Sequence, residues 1–283
     1  MDEDLKATLE RLTAGATQGP AEATSRCGLP AWLLEDKIPT GTYCDGGTHI
    51  RVSGSDPKTT RRYDIETVGR CPAAVSDEIA KRYSTERARL KGPIDKLVKQ
   101  GGEGFEGFDA RRHRSAAKAL EVMQAFAADP AGANVFLFGP TGLGKTRLML
   151  ASHFALLRRG VNSRYVTSPE LRSLFRRKES FDEDAAKEAN DALLALQGAA
   201  VIHADDLGDI EGDERKKGGF AEGLKDLLRL ARGTWVFSTN CGYAELKSHP
   251  DIGAKNLSRM VEGATLVPME GKDFRVQTAK VAK

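Results

Sequence analysis

The spacing of apolar positions changes character several times along this chain. Between Asp4 and Leu12, leucines at 5, 9 and 12 recur at helical spacing, predicting a short amphipathic helix whose apolar stripe serves local packing or docking. From Cys27 to Ala74 that period disappears. Gly, Thr, Asp and Pro become frequent, and Thr48-His49-Ile50-Arg51-Val52 and Arg62-Tyr63-Asp64-Ile65 read as strands of a small β-rich module. Helical spacing returns from Val75 to Lys99, with Pro93 placed to start a second helix. The glycine-rich run Gln100 to Gly107 then predicts a flexible linker and a domain boundary.

Beyond Phe108 the pattern becomes regular. A helix reaching about Ala128 buries Ala116, Ala119, Leu120, Met123 and Phe126 and opens with basic Arg111, Arg112, Arg114 and Lys118, a cluster that is more often a solvated face than a ligand site. Short apolar runs at 134–138, 163–167, 199–204, 233–240 and 265–268 then alternate with helical segments at 147–159, 168–178, 184–197, 220–231 and 256–262. Strands alternating with helices predict an α/β fold with a parallel sheet between helices. The expected organisation is an N-terminal partner-binding domain over 1–99, a linker over 100–107 and an α/β domain over 108–283.

Charge and cysteine content narrow the setting. The 43 basic and 40 acidic residues leave a net charge of +3, which excludes a wholesale polycation while permitting local basic surfaces. Apolar runs fall far short of a membrane span, and Met1-Asp2-Glu3-Asp4 is acidic where a secretory signal is basic, so no membrane association and a cytoplasmic location are expected. The 4 cysteines are too widely spread for a disulfide framework. Cys44 and Cys71 each resemble half of a zinc knuckle, but Gly41 and Ala74 stand where partner cysteines belong. A zinc site completed from elsewhere, a metal-free degenerate ribbon and plain core cysteines stay open as alternatives.

The most specific chemistry lies at Gly139-Pro140-Thr141-Gly142-Leu143-Gly144-Lys145-Thr146, between an apolar strand and a helix. Glycines let consecutive N–H groups curl around phosphate oxygens at a helix N-terminus, Lys145 reaches the β- and γ-phosphates, and Thr146 holds Mg²⁺. A second apolar strand ends in Asp205-Asp206. Opposite a phosphate loop, the first acid orients the Mg²⁺ shell and the second polarises the attacking water. His203, inside that strand, is expected to be a satisfied core residue. Asn240, at the end of the 233–240 strand, can hold the lytic water or the γ-phosphate. The helix 168–178, with Ser168-Pro169 at its start, interleaves Arg172, Arg176 and Arg177 with Phe175, which suits single-stranded DNA by phosphate contact and stacking or, equally, an exposed basic helix with its apolar face in the core.

With Leu257-Ser258-Arg259-Met260 and Gly271-Lys272-Asp273-Phe274-Arg275 added to these motifs, the chain from Phe108 onward resembles the DnaC/DnaI-type replicative helicase loaders, AAA+ ATPases to which the transposition helper IstB is closely related. The resemblance implies a P-loop AAA+ core without a C-terminal lid domain, binding ATP and Mg²⁺ through Lys145, Thr146 and Asp205, with Asn240 as first sensor. It implies that Arg259 is an arginine finger completing a neighbouring subunit's site, hence self-association through the ATPase domain. It moves the Arg172–Arg177 helix toward DNA and implies a hexameric replicative helicase and single-stranded DNA as partners. A transposition helper binding duplex DNA and a transposase is the alternative. Asp206 stands where most AAA+ enzymes have Glu, and its shorter arm implies slow or partner-stimulated hydrolysis.

Overall fold

The computed structural model describes residues 41–44, 48–53, 64–70, 72–99, 101–130, 132–208 and 219–273, with side chains from Val75 onward. The helix expected at 4–12, Cys27, Cys71, most of the charged loop 209–219 and Arg275 lie outside the described residues. The chain forms two compact units, Met1–Ser84 and Thr85–Lys283.

In the first unit, β1 (Gly41–Cys44), β2 (Thr48–Ser53) and β3 (Asp64–Arg70) form an antiparallel sheet in that order, with a register shift at His49/Ile50. Helix α1 (Pro72–Arg89) starts on a proline, whose missing N–H costs nothing in a first turn. Cys44 is opposite His49 in the β1–β2 register. Among the described residues no group of three or more His, Cys, Asp or Glu could hold a metal ion, and no helix is long and apolar enough to cross a membrane.

The second unit is a three-layer α/β domain. Its sheet runs β5 (Ser163–Thr167), β6 (Val201–Asp205), β7 (Thr234–Thr239), β4 (Val135–Phe138), β8 (Thr265–Pro268), every pair parallel. This is the parallel sheet between helices expected of the AAA+ core. Strands of a parallel sheet are covered on both faces and so read as unbroken apolar runs. Successive side chains still take opposite faces: Ile202, Ala204, Trp235 and Phe237 enter one apolar cluster with Leu171, Phe175, Leu224 and Leu227. That cluster unites the sheet with α5 (Ser168–Lys178), α6 (Glu183–Gln197), α7 (Phe220–Leu230) and α9 (Gly253–Val261). The opposite face carries α4 (Lys145–Arg158), with α3 (Ala116–Ala128) packed beside it. Burying side chains of this size contributes about 1.5–3 kcal/mol each.

Local details depart from expectation in three places. A short helix, α8 (Tyr243–Ser248), follows β7 in a stretch whose spacing predicted none. Helix α5 is capped by Thr167, which forms a reciprocal pair with Glu170, so Ser168 is already helical. The compact units divide at Ser84/Thr85, upstream of the glycine-rich segment expected to carry the boundary. That segment is packed rather than slack. After α2 (Lys91–Lys99), Gly102 O accepts from Arg147 Nη2 at 2.7 Å, and Glu103 pairs with Arg87 and Arg158 at 3.1 and 2.6 Å. A Cβ on Gly107 would stand 1.8 Å from Arg147 Nη2. There glycine permits close approach of backbone to core, a use that composition cannot distinguish from flexibility.

Candidate nucleotide site

Gly144 ends the loop between β4 and α4 with φ 90°, a left-handed conformation that a β-carbon would strain, and the Phe108 ring lies where that carbon would project, 2.8 Å away. The loop is braced from the segment before α3: His113 Nε2 is 3.1 Å from Leu143 O and its Nδ1 is 3.0 Å from Ser115 Oγ. Ser115 Oγ accepts from Glu270 N at 2.7 Å, which ties the chain after β8 to the same brace. On the loop itself Thr141 Oγ1 donates to Asp273 Oδ2 at 3.4 Å.

Lys145 is 5% exposed, and its ammonium donates to Gly139 O and Pro140 O at 2.6 and 2.7 Å. A phosphate oxygen would be a stronger acceptor for this ammonium than a neutral carbonyl. A cavity of about 600 Å³ opens beside it, lined by Thr141, Gly142, Gly144, Lys145 and Thr146 of the loop, by Asp206 and Asn240, and by Pro93, Lys96 and Leu97 of α2. Arg112 and Arg147 also line it. Burial, and then the nearby Arg112 charge, lower the Arg147 pKa. Several cations facing one carboxylate make the cavity attractive to a polyanion of nucleotide size. Loop, Asp206 and Asn240, widely separated in sequence, are thus brought together. The α2 residues and Arg147 carried no signal, and Arg112, read as part of a basic helix start, lies ahead of α3 and lines the cavity.

Asp205 is 1% exposed and does not line the cavity; its carboxylate accepts from Tyr165 Oη at 2.5 Å and from Ser238 Oγ. Burial, then the adjacent Asp205, push the Tyr165 pKa well above 10. His203 is fully buried between Ser163 Oγ and Ser152 Oγ at 3.3 and 3.2 Å, and burial lowers its pKa to about 3. It is the satisfied core histidine expected.

Residues 75–282 match the family described as IstB-like ATP binding protein. The chain belongs to that family. No curated protein matches it. Solved structures similar to this IstB-like chain include DnaA from Aquifex aeolicus bound to AMPPCP, at 20% identity and TM-score 0.46, covering 59% of this chain and 50% of DnaA. DnaI is similar at 23% identity and TM-score 0.45, covering 56% of this chain and 87% of DnaI. The DnaC helicase loader is similar at 19% identity and TM-score 0.48, covering 61% of this chain and 99% of DnaC. The IstB-like chain spans only half of the DnaA chain it resembles.

The helix expected to stack DNA bases differs from that expectation. In the IstB-like domain Arg172 is buried, paired with Asp251 at 2.7 Å, and its guanidinium lies 4.7 Å from the Phe220 ring centroid. Phe175 is 9% exposed and meets Phe220 edge-on at 5.5 Å. Three residues apart on one helical face, both turn into the core. Only Arg176 and Lys178 are exposed, while Arg177, half-buried, pairs with Glu188. Arg259 stands exposed on α9, away from the buried face formed by Asn256, Leu257 and Met260.

Proposed function

We propose that this IstB-like chain is a Mg²⁺-dependent AAA+ ATPase that binds a hexameric replicative helicase and delivers it onto single-stranded DNA. The observation that carries the ATPase reading is the single cavity shared by the loop, Asp206 and Asn240. Lys145 would exchange its loop carbonyls for phosphate oxygens, Thr146 would hold Mg²⁺ with Asp205, buried behind the cavity wall, orienting the metal's shell, and Asp206 would polarise a water that Asn240 would orient toward the γ-phosphate. Bound Mg²⁺ supplies charge neutralisation on the triphosphate. The exposed Arg259 is free to reach a neighbouring copy, where it would stabilise charge on the transferring phosphate.

The loader reading rests on the resemblance of the motifs, and the first unit supplies the helicase-binding surface. DNA contact through α5 is limited to phosphates, by Arg176, Arg177 and Lys178, since no ring of that helix is available to stack. A second reading, an ATPase helper that binds duplex DNA and a transposase, is favoured by the IstB-like family description. The deciding experiment offers the full chain, with ATP, the purified replicative helicase and the transposase of its own genome. Capture of the helicase together with helicase delivery to a single strand supports the loader. Capture of the transposase alone replaces it with the second reading.

A further inference from the structure

The two acids at the end of β6 are held by side chains that do not themselves line the cavity. Tyr165, Asp205 and Ser238 stand at the same end of β5, β6 and β7 and on the same face of the sheet, the face that α4 covers. Tyr165 lies opposite His203 and Ser238 two residues beyond Val236, which also pairs with His203, so parallel register alone brings both hydroxyls to Asp205. Tyr165 Oη donates to one carboxylate oxygen at 2.5 Å and Ser238 Oγ donates to the other. A carboxylate with one donor fixed on each oxygen cannot rotate, yet keeps lone pairs for further partners.

Ser238 does a second thing. Its Oγ accepts from the Asp206 N–H at 3.0 Å, while its own carbonyl accepts from Leu207 N at 2.8 Å. Thr239 Oγ1 donates to Leu207 O at 2.6 Å. These bonds act on a strained position, because Asp206, with φ 56°, is the one non-glycine among the described residues in the left-handed region. Such a conformation persists only where its surroundings enforce it, and here the enforcing groups come from β7. One hydroxyl therefore fixes the direction of the first acid and the backbone of the second.

We propose that Ser238, assisted by Tyr165, is the positioning residue of the metal side of this nucleotide site, presetting Asp205 and Asp206 for the divalent cation that accompanies a bound triphosphate. The proposal rests on the ATP-site reading above. Ser238 carries the larger share because it touches both acids, whereas Tyr165 touches one.

The test measures binding of a fluorescent ATP analogue to the full chain, in a Mg²⁺ titration and separately in EDTA, with thermal melting of every variant alongside. Ser238→Ala is expected to raise the Mg²⁺ concentration for half-maximal tightening at least tenfold and to leave affinity in EDTA within twofold of the parent. Tyr165→Phe is expected to raise it about threefold, since one of two donors is lost. Ser238→Thr, which keeps the hydroxyl, is expected to restore the parent titration. Should Ser238→Ala melt early, Tyr165→Phe and Ser238→Thr carry the test. Unchanged or tighter Mg²⁺ dependence in Ser238→Ala and Tyr165→Phe overturns the proposal, as does equal weakening with and without Mg²⁺. A parent protein whose analogue binding ignores Mg²⁺ also overturns the proposal, whereas a parent that does not bind the analogue with or without Mg²⁺ fails earlier, at the ATP-site reading itself.

Discussion

Two stretches of this chain, the loop Gly139–Thr146 and helix α5, carry residue types suited to phosphate, and they end in opposite surroundings. The loop lines an open cavity with Asp206 and Asn240, whereas α5 turns Arg172 and Phe175 into the core. The difference lies in what each motif specifies. A glycine-rich turn between strand and helix dictates a backbone path, and the path itself creates the anion site. Arginines and a phenylalanine on a helix dictate only composition. Which way they face is decided by what packs against the helix, here Asp251 and Phe220.

The strongest test of that contrast is stability. Phe175→Ala and Arg172→Ala should each destabilise the domain by about 3–5 kcal/mol, the first by leaving a cavity and the second by stranding buried Asp251. Urea unfolding measures this, and unchanged midpoints accompanied by lost single-strand binding would return α5 to a DNA role. Lys145→Ala should weaken nucleotide binding at least a hundredfold, about 3 kcal/mol, with melting little changed. Titration with a fluorescent ATP analogue checks it.

The third test concerns the footing of the loop's helix. His153 of α4 is fully buried and packs beside His203, with ring centroids 5.6 Å apart. Burial, then the neighbouring His203, lower its pKa well below 6.5, and burial lowers that of His203 to about 3. In the unfolded chain both titrate near 6.5, so below that pH the unfolded state binds more protons and stability falls with falling pH. For His203 alone the loss from pH 7 to pH 5 should be about 2 kcal/mol. A flat melting profile over that range would contradict a buried neutral pair. The smallest effect is expected from Arg176→Ala combined with Arg177→Ala, within about 0.5 kcal/mol of stability because the half-buried Arg177 meets an exposed Glu188 at the surface. Its signature is instead a shallower salt dependence of single-strand binding.

Much of the fold was legible because parallel strands and amphipathic helices write their burial into hydrophobic spacing. The strands of the sheet and most helices follow from local pattern, although α8 carried no spacing signal, α3 starts at Ala116 rather than Arg111, and α9 starts at Gly253 rather than Asn256. The glycine-rich 101–107 stretch was not legible as packed chain, since glycine serves both slack and close approach. In the site, the loop, Asp206 and Asn240 were marked by strand ends and spacing. Ser238 stood in plain view between an apolar run and Thr239-Asn240, but its bond to Asp205 depends on register between β6 and β7. Tyr165 carried no signal at all, for an aromatic in a strand reads as core.

The sequence by itself determined the phosphate loop, the paired acids and the alternation of strands with helices, because each is enforced by local backbone geometry and nearest-neighbour chemistry. Only the tertiary structure decided that α2 and Arg112 line the cavity, that Arg172 and Phe175 serve the core, and that hydroxyls from β5 and β7 clamp Asp205. Those outcomes join residues tens of positions apart. They are fixed by strand order and packing, which no local pattern encodes.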